Sequence, residues 1–445
     1  MAYTSLTLVA ARTALADRLA DPALVRWVAA ELDGYLREAL RTWNAYTASY
    51  RSRGTFQTTS QQAFYDLPTV LPALRGQTVT NRDLVTDLEY ALLEPATPTT
   101  WTGTDQFDMD DLVTAITRRR DQFLRDTGAV LNEQSIGISP SPAGRVPLPS
   151  NVLAVRRAAW RSPSGLISAL RRDDEWGASH YATRWPQQMR QPPLVYSIAA
   201  TPPLQLQLIP PPQDTGALEL LTVEAGAALA VSASTPLGVP NDWAWVIKWG
   251  ALADLLGRDG LAADPARAAY CEARWQQGVQ AATAAAVILD ARINDQPCRV
   301  NSVSDADAFS PIWQSVSGIP RQMVTAGQNL LGCWPPPGAV AAGGDYSITI
   351  DVVANIPAPT ADGDYLQIDA GTQDCLLDYA QHLASFKEGI ALVQASQPLL
   401  DRFLRACGVT LKLQQAQQPA RRPLVEQTSQ DQRALPAQEP VEASA

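Results

Sequence analysis

The sequence predicts an α+β protein: a helical bundle, an antiparallel β-sandwich or small barrel inserted into it, and a flexible C-terminal tail. Three observations predict it. Before residue 136, apolar residues recur at spacings of three and four, the period of a helix with one buried face. From residue 136, proline rises and short apolar runs alternate with turns. The helical spacing returns at residue 239, and the chain closes on a Gln- and Pro-rich stretch from Leu413 to Ala445 that cannot bury enough surface to fold alone.

Each element has its own signal. Ser5 can cap a first helix with Leu8, Ala11, Leu15 and Leu19 on one side, and Arg12 and Asp17 off that stripe. Asp21-Pro22 predicts the start of a second helix through Leu24, Val25, Val28, Leu32, Leu36, Leu40 and Trp43. Arg51-Ser52-Arg53-Gly54 breaks that pattern. Residues 56–70 read as extended, with a turn at Asp66-Leu67-Pro68. Thr80-Asn81-Arg82-Asp83 opens a helix through Leu84, Val85, Leu88, Leu92 and Leu93, stopped by Pro95 and Pro98. Asp108-Met109-Asp110-Asp111 opens another through Leu112, Ile116, Phe123 and Leu124.

The second part predicts strands at 151–155, 166–170, 194–198, 204–209 and 218–223. Leu204 to Leu208 alternates strictly, and Pro210-Pro211-Pro212 closes that run. Helix returns over 243–256, with Trp245, Trp249, Leu252 and Leu256 on one face. Asp264-Pro265 starts a long helix expected to reach about Ile293. Residues 296–370 read as irregular or extended, apart from a strand at 346–352 and a turn at Asp362-Gly363. Two helices, 372–386 and 397–407, precede the tail. The expected units are therefore 1–135 and 239–295 for the bundle, 136–238 for the strand-rich insertion, 296–370 extended, 371–412 helical, and 413–445 a flexible arm.

Composition excludes several functions. The chain has 445 residues, with 35 Lys+Arg against 45 Asp+Glu, a net charge of −10. That is a poor surface for wrapping nucleic acid. Two histidines, His180 and His382, cannot build a histidine cluster. Five scattered cysteines (Cys271, Cys298, Cys333, Cys375, Cys407), odd in number and without a CxxC, imply isolated thiols and neither a disulfide framework nor a zinc site. Charges inside the N-terminal apolar pattern are unlike a signal peptide, and none is expected. No run of 18 apolar residues exists, so no membrane partner is expected.

The candidate sites each have a plainer structural explanation. Asp105, Asp108, Asp110 and Asp111 are the densest acidic cluster, and carboxylates there suit a helix N-terminus better than a cation site. Asp173, Asp174, Glu175 and His180 lie near Trp176 and Trp185. Adjacent carboxylates on one segment do not face each other across a sugar, so ion pairs with Arg171 and Arg172 are the expectation. Asp362, Asp364 and Asp369 are turn residues. Arg118-Arg119-Arg120, late in a helix, suits a solvated face, with a contact to DNA phosphates or to an acidic partner as the functional alternative. The tryptophans recur at helical spacing and are expected in the core. No GxSxG, P-loop, HExxH or GxGxxG occurs.

Two stretches carry a resemblance: VPLPSNVLAVRRAAW (146–160), and VPNDWAWVIKWGALADLLGRDGLAADPARAAYCEARWQQGV (239–279). In the second, a Pro-polar-Asp step leads to a helix holding IKWGALADLL, then a short gap, Asp-Pro-Ala-Arg and a long Tyr-bearing helix. The stretch ITIDVVANIPAPTADGDYLQIDAGTQDCLLDYAQHLASFKEG (348–389) has the same texture. The order resembles the head-to-tail connectors, or adaptor and neck proteins, of tailed bacteriophages. The chain is longer than a compact connector by the strand-rich insertion and the tail. The resemblance implies a non-enzymatic virion protein, made in host cytoplasm and placed at the head-tail junction. It implies a ring of identical subunits, twelve in number, beneath the portal protein. Other tail or neck proteins would bind below, and DNA would pass through without sequence-specific binding. It implies no cofactor, no metal and no catalytic residue. Arg118, Arg119, Arg120, Arg421, Arg422 and Leu424 are expected to meet the portal or a neighbouring subunit. The alternatives are a tail or baseplate protein with a receptor- or glycan-binding sandwich, and a cell-wall glycan hydrolase using Asp174 and Glu175.

Overall fold

A side-chain cap sets where four of the described helices begin. In the computed structural model, which describes residues 6–93, 107–141, 144–174, 177, 192–199, 204–260, 262–338, 346–369 and 371–409, α1 (Leu8–Arg18) starts after Thr7, whose hydroxyl accepts from the Ala10 N–H at 3.4 Å. Ser5 lies outside the described residues. Asp21-Pro22 does not start a helix. The Asp21 carboxylate accepts from the backbone N–H groups of Val25, Arg26 and Trp27, at 3.0, 2.8 and 3.0 Å, and so closes a turn instead. Leu24 takes φ +54° and Val25 is 82% exposed. The helix α2 (Ala29–Thr47) begins only after that turn.

The break at residue 51 is a strand, β1 (Arg51–Gln57). It is followed by β2 (Phe64–Asp66) and two single-turn helices, α3 (Leu67–Val70) and α4 (Pro72–Arg75), each with proline in its first turn. The helix α5 (Asn81–Ala91) has the capping box that its sequence encodes: Thr80 and Asp83 each accept from the other's backbone N–H. The helix α6 (Met109–Thr127) ends on Gly128 at φ +62°.

Among the described residues eight strands follow: β3 (Asn132–Ile138), β4 (Arg145–Pro147), β5 (Val152–Arg161), β6 (Ile167–Ala169), β7 (Arg171–Arg172), β8 (Val195–Ala199), β9 (Gln205–Ile209) and β10 (Gly216–Glu224). They form two four-stranded sheets, ordered β3-β10-β5-β6 and β4-β9-β8-β7. Residues from both sheets, among them Trp160, Leu218, Leu220, Tyr196, Leu206 and Leu208, share one apolar cluster.

Two helices then pack together, α7 (Ala244–Leu256) and α8 (Pro265–Ala284), the latter capped by Asp264. The expectation of helix as far as Ile293 is corrected: α8 stops at Ala284 and β11 (Ile288–Ile293) follows. Asn294 and Asp295, both at positive φ, form the two-residue turn into β12 (Gln296–Ser302). After α9 (Val303–Phe309) come β13 (Gln322–Ala326), β14 (Leu330–Trp334) and β15 (Ser347–Val353). Residues 296–370 are thus more regular than expected, supplying four strands of a seven-stranded sheet ordered β1-β15-β11-β12-β13-β14-β2. Its two edge strands come from the N-terminal part of the chain. The helices α10 (Gln373–Ser385), α11 (Ile390–Ala395) and α12 (Gln397–Ala406) pack back on the first helices, so one apolar cluster runs from Leu8 to Val409. The molecule is mixed α and β. No helix of the described residues is long and apolar enough to cross a membrane.

Candidate functional site

The densest chemistry lies inside the helical core. The helix α7 is apolar except at Asp254, which faces α6, and at Lys248, which is 4% exposed. Its ammonium donates to Glu38 Oε2 of α2. Glu38 Oε1 accepts from Trp249 Nε1 at 3.2 Å and from the Tyr379 hydroxyl at 3.5 Å. Arg274 Nη2 donates to the same hydroxyl at 2.6 Å. His382 Nε2 meets the Tyr270 hydroxyl at 2.5 Å, and Nδ1 meets Ser396 Oγ at 2.8 Å. Burial, then the Arg274 charge, lowers the imidazole to about 3, so it is neutral at working pH. Ser396 Oγ in turn donates to the Val393 carbonyl at 3.0 Å. The arrangement ties α2, α7, α8, α10 and the α11–α12 junction together. It contains a serine beside a histidine, but one closed within the core.

The arginine run divides. Arg118 is at the surface, its side chain 68% exposed, reaching Asp254 Oδ1 at 3.3 Å. Arg119 and Arg120 are not on a solvated face, and this corrects the sequence expectation. Arg119 pairs with Asp254 at 2.6 Å and Glu272 at 2.9 Å, and lies over the Trp275 ring. Arg120 is buried, donating to the carbonyls of Ala227 (2.7 Å) and Gly226 (3.2 Å) and to Asp121 (2.9 Å). The reason is that α6 is covered on that side by α7 and by the loop after β10. Arg421, Arg422 and Leu424 lie outside the described residues.

The described acidic candidates lie at a helix start and in turns. Asp108 precedes α6, Asp110 and Asp111 are in its first turn, and Asp111 pairs with Arg258. Asp173 pairs with Arg171, and Asp174 accepts from the Gly177 N–H. Asp105, Glu175, Trp176, His180 and Trp185 lie outside the described residues. Asp364 accepts from the N–H groups of Thr360 and Ala361, and Asp369 from that of Thr372. Asp362 pairs with Arg12. Among the described residues no group of three or more His, Cys, Asp or Glu is placed to hold a metal, and the five cysteines are free thiols.

The feature that the sequence did not signal is a cavity of about 700 Å³. It lies at the C-terminal ends of α2 and α8, where Ala45, Ala281, Ala285, Val287 and Val353 make apolar walls. Asn44, Arg75, Asp242 and Gln328 line it with polar groups. Asn44 Nδ2 donates to Asp242 Oδ2 at 3.1 Å and to the Ala354 carbonyl at 2.9 Å. Arg75 Nη1 donates to the Val353 carbonyl at 2.8 Å. Gln328 accepts from Trp243 Nε1 at 3.0 Å and donates to the Ala282 carbonyl at 2.7 Å. Burial raises the Asp242 carboxyl to about 6, against the opposing pull of Arg75. In the sequence Asp242 was only part of a helix start, and Arg75 carried no signal, because the two are brought together by tertiary structure alone.

A smaller cleft of about 230 Å³ lies where Gln61, Gln62 and Phe64 face the sheet of β3, β5 and β10. It is lined by Glu133, Glu219, Arg157, Arg161 and Gln314. Burial, then the Glu219 charge, raises Glu133 to about 7. Compared with known proteins, the chain matches no family model and no curated protein.

Proposed function

We propose that the protein is a non-enzymatic structural component of a tailed-bacteriophage virion. In this proposal it is a head-to-tail adaptor that forms a ring of identical subunits, twelve by resemblance, beneath the portal and joins it to the tail. The observation that supports this most is the α7–α8 pair. The stretch 239–279, which carries the resemblance, folds as two helices pressed together at two glycines. A Cβ on Gly250 would come within 2.6 Å of the Trp275 ring, and one on Gly278 within 2.5 Å of Val246 Cγ2. Such contact leaves a rigid scaffold. The ionisable groups of the core pair helices with one another, which suits a scaffold better than proton transfer.

The two sheets with their shared core are taken as the inserted sandwich, and with the bundle they make the platform for other neck or tail proteins. Arg118 on the surface of α6 is the residue of the arginine run proposed to meet the portal or a neighbouring subunit, with Arg421, Arg422 and Leu424 of the C-terminal arm. The net charge of −10 suits a conduit that repels phosphates and lets DNA slide. No cofactor or membrane enters the proposal. Electron microscopy of the full chain, alone and mixed with portal protein, tests it. A ring docked on portal is the expected image; particles that never associate with portal overturn it.

A second reading has one observation in its favour. The cleft lined by Gln61, Gln62, Gln314, Glu133 and the two arginines presents amides and charges as a sugar-binding groove does. It supports a tail or baseplate component with a receptor- or glycan-binding sandwich. Binding to host glycan without portal contact would favour it.

A further inference from the structure

The cavity at the ends of α2 and α8 is also where the described part of the chain stops. Val409, the residue before 410–445, is 5% exposed and lines it. The chemistry of the cavity calls for an apolar occupant. Its polar side chains are already spent on the protein. Gln328 uses both ends of its amide, and Asn44 accepts from the Tyr50 N–H as well as donating twice. Asp242 Oδ2 accepts from Asn44, and Arg75 Nη1 donates to the Val353 carbonyl. The atoms these two residues leave over, Asp242 Oδ1 and Arg75 Nε, have under 1 Å² of accessible surface, so nothing in the cavity touches them. The remaining walls are largely Ala45, Ala281, Ala285, Val287 and Val409. Leaving such walls to water is unfavourable in proportion to their apolar area.

The chain supplies an apolar group at that point. Leu411 stands two residues beyond Val409. A cavity of about 700 Å³ is roughly 11 Å across, and two residues of chain reach at most about 7 Å, so Leu411 stays within its width. The flanking Thr410 and Lys412 are polar, and a lysine stem is long enough to carry its charge back to water. After Leu413 no large apolar residue occurs until Leu424. We propose that the cavity is the seat of the chain's own segment 410–412, with the Leu411 side chain buried in it, so that the C-terminal arm leaves the molecule from this mouth. A chain cut before Leu413 keeps this seat. The ring proposed above plays no part in the inference.

The test uses the full-length protein and N-phenyl-1-naphthylamine, a neutral apolar dye that brightens out of water, titrated by fluorescence. In the native chain the dye must displace Leu411, which lowers its apparent affinity by the fraction of molecules with an open cavity. Leu411→Asp empties the seat, so the dye should bind at least about fivefold more tightly than to the native chain. Ala416→Asp adds the same charge further along the arm and should bind the dye as the native chain does. Ala281→Phe, which narrows the cavity from its wall, should abolish the gain when combined with Leu411→Asp. Should that double variant fail to fold, Ala285→Phe replaces the wall change. Equal dye affinity in Leu411→Asp and the native chain overturns the proposal, as does an equal gain in Ala416→Asp or a gain that survives the filled wall. Native-chain dye affinity that rises as the protein is diluted would put another copy's arm in the cavity, and overturns it too.

Discussion

Among single residues, buried polar groups carry the largest energies. Lys248 and Glu38 are almost wholly buried and paired with each other. Removing one partner strands the other charge, so Lys248→Met should cost about 3–5 kcal/mol in denaturant unfolding. The double variant Lys248→Met with Glu38→Gln should recover most of that loss, because the introduced amide carbonyl would still accept from Trp249. Equal losses in both would show that the pair is not charge-coupled. Trp249 itself is 2% exposed, with its ring edge-on to Tyr270 at 5.6 Å and Phe386 at 5.1 Å. Trp249→Ala should cost about 3–5 kcal/mol, read as a shifted unfolding midpoint.

Two aspartates set a pH dependence. Burial raises both Asp87 and Asp242 to about 6 from 3.8. Between those values the unfolded chain has released protons that the folded chain still holds. The stability these two groups contribute is therefore full below about pH 4, falls as pH rises through 6, and is flat above. For Asp87 the nearby Glu38 adds to the rise, and Lys248, Arg37 and Arg41 oppose it. Unfolding free energies from pH 4 to 7 should show this slope reduced in Asp87→Asn. An unchanged slope would mean that Asp87 titrates normally.

Among the elements, short-range signals were the legible ones. Thr80 and Asp83, or Asp264 and the Arg267 N–H, lie three residues apart, so sequence alone places both members of the cap. Asp21-Pro22 was misleading for the same local reason: its carboxylate caps a turn, not a helix. The register of β11 was not legible, because its partner β15 arrives some sixty residues later and no local feature of 285–293 announces it. The glycines of the α7–α8 contact were equally silent. Helix propensity favours alanine over Gly278 by about 1 kcal/mol. The contact with Val246 should outweigh that, so Gly278→Ala is expected to destabilise by about 1–3 kcal/mol on chemical unfolding. A stabilised variant would show that the helices separate easily.

Across the whole molecule, the N-terminal part and the segment 296–370 share one sheet, and the first and last helices share one core. Residues 410–445 follow the last residue of that core, Val409. Deleting Leu413–Ala445 should leave the thermal midpoint unchanged but weaken assembly on portal, measured by sedimentation of the mixed complex. Equal portal affinity after truncation would remove the arm from the proposal.

Local spacing was enough to place the longer helices, the caps at Thr80 and Asp264, five of the strands of the insertion and the buried tryptophan stripe. Each depends on residues a few positions apart. Long-range packing determined that Arg119 and Arg120 face inward, that Glu38 meets Lys248, and that Asp242 and Arg75 share a cavity. Those partners stand from about a hundred to more than two hundred residues apart. Whether a charge is solvated or paired depends on what packs over it, and no local pattern encodes that.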